Sequence, residues 1–169
     1  MSDRESITAA VSEVRCDTQN SDPEEEDPEK NLCKIPSLQE LEEVLHSAPR
    51  SCRHGDEVWP NLYLGDMFMS HDKLGLWQLG VTHVLNASHA EFIHQALTSG
   101  GKVFVHCAVG VSRSAALVLA YLMIHHHLTL LSSVRCVQQK RWIFPNRGFL
   151  RQLIALDQKL QEKGLNEPK

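Results

Sequence analysis

The sequence lacks the features of a membrane-spanning, secreted or metal-binding protein. Its longest apolar run, Ala115 to Ile124, falls well short of the about 20 residues that a membrane-spanning helix needs. The polar N-terminus has no apolar stretch of the kind that a signal peptide requires. The five cysteines are odd in number and show no metal-ligand spacing, which is typical of free thiols in a reducing compartment. We therefore expect a soluble cytoplasmic protein without a metal.

Positive charge is neither abundant nor clustered. The chain has 17 Lys and Arg residues against 21 Asp and Glu residues, which gives a formal net charge of −4. A protein that binds nucleic acid needs a basic patch or stripe to neutralise phosphates, and the basic residues here are scattered. The sequence therefore predicts neither nucleic acid nor a membrane as a partner.

The 169 residues fit one domain with a tail at each end. Residues 1–34 contain little that could form a core, and residues 22–29 are an acidic run interrupted by prolines. Such a composition predicts a disordered acidic N-terminal tail. We expect a folded domain over residues 35–164 and a short C-terminal tail over residues 165–169.

Apolar periodicity alternates between strands and helices from Ser37 onward, which predicts an α/β fold with a small central mixed sheet flanked by helices. A helix between residues 65 and 79 is expected to turn Leu74, Trp77 and Leu79 towards the core. The last helix is expected to end at Gly164, because glycine is common at helix C-termini.

The stretch from residue 102 to residue 124 reads as a buried strand, a tight loop and a buried helix. Between the strand and the helix lie Cys107 and the six residues that follow it, ending at Arg113. In such a turn the backbone N–H groups can converge on one point, where the N-terminus of the next helix adds positive potential. This arrangement predicts a cradle for an anion such as a phosphate group.

The residue types in this loop suit chemistry on a phosphate. The positive field favours the thiolate of Cys107, which is the nucleophilic form of cysteine. The guanidinium of Arg113 can grip two phosphate oxygens, and the hydroxyl of Ser114 can donate to the sulfur. Gly110 lets the backbone bend without a Cβ clash. The predicted phosphate-binding residues are Ala108, Val109, Gly110, Val111, Ser112 and Arg113.

Two other interpretations of the loop are weaker. A buried core cysteine is common in proteins, but it explains neither Arg113 at a helix start nor the glycine in the loop. A nucleotide-binding loop would end in Gly-Lys-Ser or Gly-Lys-Thr, and this loop does not.

The pattern His106-Cys107-x-x-Gly110-x-x-Arg113-Ser114 resembles the signature of the protein tyrosine phosphatase superfamily. Residues 56–66, 82–86 and 145–153 are similar to the small atypical dual-specificity phosphatases, and the resemblance covers about residues 37–164. It implies a dual-specificity phosphatase-like fold, phosphorylated proteins as substrates, a phosphocysteine intermediate and no metal or organic cofactor. It also implies that His106 holds Cys107 and tunes its pKa, and that Asn146 supports the loop.

The chain departs from this family where the general acid should be. The resemblance implies an Asp about thirty residues before the cysteine, but no Asp lies between Lys73 and His106. Some forty residues, including one edge strand and the acid loop, are absent relative to the family. The general acid is therefore unknown. The candidate substitutes are Glu91, His89, Asp66 and Asp72.

Two functions follow from this difference. The first is a dual-specificity protein phosphatase with reduced activity, because losing a positioned general acid costs about 10² to 10⁴ in rate. The alternative is a phosphoprotein-binding regulatory module that turns over slowly. A lipid phosphatase is disfavoured, because residues 108–112 contain no Lys to meet further phosphate groups.

Overall fold

The structure is a computed structural model that describes residues 34–87 and 90–166. The predicted acidic tail covers residues 1–34. All of these except residue 34 lie outside the described part of the chain, so the tail stays a prediction. Of the predicted C-terminal tail, residues 165 and 166 belong to a helix, and residues 167–169 are outside the described part.

Strands and helices alternate along the described part of the chain, as the apolar pattern predicts. The first helix begins with a capping box in which the Ser37 hydroxyl accepts from the Glu40 backbone N–H and the Glu40 carboxylate accepts from the Ser37 N–H. The elements are α1 (Leu38–Ser47), β1 (Gly55–Trp59), β2 (Leu62–Gly65), α2 (Met67–His71), α3 (Lys73–Gln78), β3 (His83–Asn86), α4 (Ala90–Thr98), β4 (Val103–His106), α5 (Arg113–His125), α6 (Leu130–Gln138) and α7 (Arg147–Asn166).

The four strands form one mixed sheet in the order β1-β2-β4-β3. Strand β1 is antiparallel to β2, whereas β2 and β3 both run parallel to β4. Gly65 and Asn86 are both aligned with His106, so the carboxyl ends of the three parallel strands meet at one edge of the sheet. The predicted α/β fold with a small mixed sheet is confirmed. Within the described residues, no strand pairs with the outer edge of β3.

The main core lies on one face of the sheet, where α5 packs between the strands and the surrounding helices. Ala115, Val118, Leu119 and Leu122 on α5 are each fully buried, as is Val105 on β4. The opposite face carries a smaller cluster made by Tyr63, Phe104 and Leu76. Because α5 is apolar on nearly every side, the loop that precedes it is anchored between a buried strand and a buried helix.

The helix expected between residues 65 and 79 is divided into α2 and α3, and its predicted inward face is wrong in part. Asp72 ends α2 and starts α3, because its side chain accepts a hydrogen bond from the Gly75 N–H. The break turns Leu74 and Trp77 outward, where they are 63% and 75% exposed. Leu76 is buried instead.

The last helix also differs from the prediction at its end. Helix α7 spans 20 residues and continues through Gly164 to Asn166, so glycine does not end it. The helices in the described residues are all too short or too polar to cross a lipid bilayer.

Helix α4 packs on the main core after a very short connection from β3. Strand β3 ends at Asn86 and α4 begins at Ala90. Ile93 on this helix is fully buried, whereas the neighbouring Phe92 is 39% exposed. The helix thus covers the core although the crossover is short.

Replacing Ile93 by Ala should lower the free energy of unfolding by about 2 to 5 kcal/mol, because it leaves a cavity in the core. Phe92→Ala, on the exposed side of the same helix, is the matched control and should cost much less. Urea unfolding followed by circular dichroism measures both changes. Equal losses from the two variants would mean that α4 does not pack as described.

Candidate active site

The loop between β4 and α5 folds around the sulfur of Cys107. The Gly110 N–H and the Ser114 hydroxyl both donate hydrogen bonds to Sγ, over 3.2 and 3.1 Å. Gly110 has φ +72°, and a Cβ there would come within 2.2 Å of the carbonyl oxygen of Gly65. The loop therefore packs directly on the end of β2, and only glycine fits at this contact.

These contacts favour the thiolate. Burial raises the pKa of Cys107, but the Ser114 hydroxyl and the backbone N–H groups of Ser114, Gly110 and Val109 lower it further, to about 7. Cys107 is half-buried, and Ser114 is fully buried at the start of α5. At neutral pH a large fraction of the sulfur is therefore a nucleophilic thiolate.

The side chain of Arg113 is available to an anion. Arg113 is the first residue of α5 and is exposed. Within the described part of the chain, no hydrogen bond or ion pair engages its guanidinium. The structure thus places a free fork of N–H donors at the same helix start that carries Ser114.

The carbonyl groups of the loop are held by the surrounding framework. The Ala108 oxygen accepts from the Met67 N–H over 3.2 Å, and the Val111 oxygen accepts from the Phe144 N–H over 2.9 Å. Because these polar groups already have partners, the loop keeps its shape without a bound ligand.

A buried arginine supports the loop from beneath, and the sequence did not point to it. The guanidinium of Arg141 is fully buried and donates to the carbonyl oxygens of Gly110, Val109 and Arg53. It also forms an ion pair with Asp56 at 2.7 Å. A buried charge needs such partners, so this arrangement fixes the loop against the start of β1 and the residues just before it.

His106 and Asn146 lie next to the loop. The ring of His106 stacks on Phe104 with centroids 6.0 Å apart. Burial lowers the pKa of His106, so the ring is mostly neutral at pH 7. The backbone N–H of Asn146 donates to the Ser112 hydroxyl, and its side chain accepts from the Phe149 N–H at the start of α7. Their roles in catalysis remain predictions.

Glu91, one of the candidate general acids, is placed away from the sulfur. Its carboxylate lies 3.7 Å from His125 Nε2, and His125 stacks on His94 with ring centroids 3.9 Å apart. His125 is the last residue of α5, whose 13 residues span about 20 Å. Glu91 is therefore close to a helix length from the start of α5 and the Cys107 loop.

Two other candidates are engaged as helix caps. Asp66 is near the loop, but its carboxylate accepts hydrogen bonds from His54 Nδ1 and the Met69 N–H. Burial raises the pKa of Asp66, yet these hydrogen bonds lower it further, below its ordinary value. It is therefore ionised at neutral pH and holds no proton to donate. Asp72 caps α3. The fourth candidate, His89, lies outside the described residues.

No group of three or more His, Cys, Asp or Glu side chains within residues 34–87 and 90–166 is arranged to hold a metal ion. The chemistry that the described site can perform is that of a thiolate and an arginine beside an anion cradle.

Replacing Arg141 by Gln should lower the free energy of unfolding by about 3 to 5 kcal/mol, because the mostly buried Asp56 carboxylate loses its buried cationic partner. Arg53→Gln is the matched control. The Arg53 side chain is 90% exposed and lies 3.7 Å from the same carboxylate, so its loss should change stability little. Urea unfolding distinguishes the two. A small effect of Arg141→Gln would contradict the structural role of this ion pair.

Alkylation of Cys107 by iodoacetamide should rise with pH and reach half of its maximal rate near pH 7. Ser114→Ala should move this midpoint up towards the ordinary cysteine pKa of 9.0, because the thiolate loses a hydrogen-bond donor. Ser112→Ala is the control, since the Ser112 hydroxyl accepts from Asn146 and does not bond the sulfur. The assay uses a chain whose other four cysteines are replaced by Ser. An unchanged midpoint in Ser114→Ala would contradict the geometry.

Comparisons with known proteins agree with this geometry. A sequence model of the family described as "Dual specificity phosphatase, catalytic domain" matches residues 80–159. Dual specificity protein phosphatase 26 from Homo sapiens is 47% identical over 161 residues, which cover 73% of this chain and 76% of that protein. The protein of the same name from Pongo abelii is 45% identical over 177 residues, with 78% and 84% covered.

The human alignment is longer than the part of this chain that it covers. Because 73% of 169 residues is about 123, roughly 38 of the 161 aligned positions have no residue of this chain. That difference is similar in length to the segment expected to be absent.

Solved structures show the same fold. Human DUSP28 superposes with a TM-score of 0.61 at 26% identity, over 68% of this chain and 99% of that one. The human tyrosine phosphatase-like serine/threonine/tyrosine-interacting protein gives a TM-score of 0.58 at 27% identity, over 67% and 99%. The chain belongs to the dual specificity phosphatase family of cysteine-dependent phosphatases.

Proposed function

We propose that the chain hydrolyses phosphotyrosine, phosphoserine and phosphothreonine in proteins through a phosphocysteine intermediate. The observation that carries this proposal is the sulfur of Cys107, which accepts hydrogen bonds from Gly110 and Ser114 and has a pKa of about 7. The free guanidinium of Arg113 at the same helix start supports it.

In the first step the Cys107 thiolate attacks phosphorus and the bond from phosphorus to the side-chain oxygen of the substrate breaks. Arg113 and the N–H groups of residues 108–113 stabilise the charge on the phosphoryl oxygens. In the second step water attacks the phosphocysteine and the thiolate leaves. The Ser114 hydroxyl stabilises the departing sulfur through the hydrogen bond that it already donates.

The departing oxygen in the first step needs a proton, and we propose that its supply is impaired. Glu91 is placed at the far end of α5, while Asp66 and Asp72 serve as helix caps. The roughly 38 positions of the human relative that this chain does not match support the loss of a segment, and we propose that this segment carries the acid. A missing general acid costs about 10² to 10⁴ in rate, and the cost grows with the basicity of the leaving oxygen.

A second candidate function is a phosphoprotein-binding module. It is favoured by the same observation, an intact cradle without a placed acid. One solved structure of similar fold is described as that of a tyrosine phosphatase-like interacting protein. In this case the chain binds phosphorylated proteins and releases them largely unchanged.

The proposal extends to the partners and the compartment of the protein. Phosphorylated proteins are the partners, neither nucleic acid nor a membrane takes part, and no cofactor is needed. The cytoplasm is the expected compartment, because it keeps the nucleophilic thiol reduced. The sequence also resembles dual specificity phosphatase 13, the muscle and testis type. The relatives reported above are instead dual specificity protein phosphatase 26. We therefore assign the family and leave the member open.

The decisive measurement compares the rates on nitrophenyl phosphate, a phosphotyrosine peptide and a phosphothreonine peptide. Nitrophenolate leaves without a proton, whereas tyrosine has a pKa of about 10 and threonine is much more basic. We expect the rate to fall in that order. Cys107→Ser should abolish every rate, and Cys52→Ser, which changes an exposed cysteine elsewhere, should not.

Comparable rates on nitrophenyl phosphate and phosphotyrosine would mean that a general acid is present and that the proposed impairment of proton supply is wrong. Turnover of nitrophenyl phosphate alone would favour the binding module. The enzyme proposal would fail if no rate depended on Cys107.

A further inference from the structure

Three exposed apolar side chains stand beside the phosphate loop. Within the described residues, Val109 on the loop is 66% exposed, and Met67 and Phe68 on α2 are 44% and 68% exposed. We call these three residues the apolar rim. Large exposed apolar side chains that gather next to a binding site are typical of contacts with a partner.

The apolar rim is joined to the loop by the backbone. The Met67 N–H donates to the oxygen of Ala108, the residue between Cys107 and Val109. Gly65, two residues before Met67, is aligned with His106 in the sheet. The rim therefore adjoins the phosphate cradle, and Val109 belongs to both.

The rim is also held in place. Asp66 fixes the start of α2 through its hydrogen bonds to the Met69 N–H and to His54 Nδ1. The ring of Phe68 packs edge-to-face on His54, with centroids 5.7 Å apart. A surface that is already ordered loses little entropy when a ligand binds to it.

We propose that the apolar rim binds an apolar side chain next to the phosphorylated residue of the substrate. This inference rests on the proposed function, since the phosphoryl group must occupy the cradle first. An extended peptide advances about 3.3 Å per residue, so the side chains one or two positions away reach the rim. The neighbouring Asp66 carboxylate already accepts hydrogen bonds from His54 Nδ1 and the Met69 N–H, so a charged side chain would lose water without gaining a free partner there.

The test uses the Cys107→Ser chain and phosphotyrosine peptides that carry Leu or Gly on each side of the phosphotyrosine. Fluorescence anisotropy gives the dissociation constants. Burying a Leu side chain against the rim should tighten binding about tenfold over the Gly peptide. Phe68→Gln should remove most of this preference while leaving the Gly peptide and nitrophenyl phosphate bound as before.

Trp77→Gln is the matched control. Trp77 is another exposed aromatic residue, 75% exposed on α3, and has no hydrogen bond to the loop. It should leave the preference for Leu intact. Because both side chains are exposed, neither substitution should unfold the protein.

Five results would overturn the inference. Equal affinity for the Leu and Gly peptides would do so. An equal loss of the preference for Leu in Trp77→Gln and Phe68→Gln would do so as well. Weaker binding of nitrophenyl phosphate in Phe68→Gln would show that Phe68 shapes the loop instead. A dimer that Phe68→Gln dissociates, without any peptide preference, would assign the rim to a second copy of the chain. If nitrophenyl phosphate itself fails to bind, the proposed function falls, and the inference with it.

Discussion

The site depends on one buried guanidinium. The Arg141 side chain is fully buried, and it joins the carbonyl groups of the loop to Arg53, just before β1, and to Asp56 on β1. Strand β4 and helix α5 place the loop at the edge of the sheet, but they do not hold its carbonyl groups in position. The loop and the start of the sheet therefore form one unit, and the nucleophile depends on residues that lie far from it in the sequence.

The contrast between Cys107 and Arg141 shows what the sequence could predict. The nucleophile, the glycine and Arg113 fall within seven consecutive residues between a buried strand and a buried helix, so local pattern was enough to bring them together. Arg141 binds partners that are 85 and 88 residues away. Nothing in its own neighbourhood distinguishes it from a solvent-exposed basic residue. Its role follows only from the sheet topology.

The wrong predictions have local causes. One continuous helix would turn Leu74 and Trp77 towards the core, but the Asp72 side chain accepts a hydrogen bond from the Gly75 N–H and starts a new helix. At the end of α7, Gly164 stays helical because a glycine costs only about 1 kcal/mol in a helix that is packed elsewhere.

The contact between Gly65 and Gly110 limits how the protein can change. A Cβ on Gly110 would meet the Gly65 oxygen, and a Cβ on Gly65 would meet the His54 oxygen at 2.2 Å and the Phe104 ring at 2.7 Å. Three backbones are thus stacked with no room for a side chain between them. In evolutionary terms, these two positions tolerate no substitution on their own. A change at either position therefore requires the backbone that it meets to move as well.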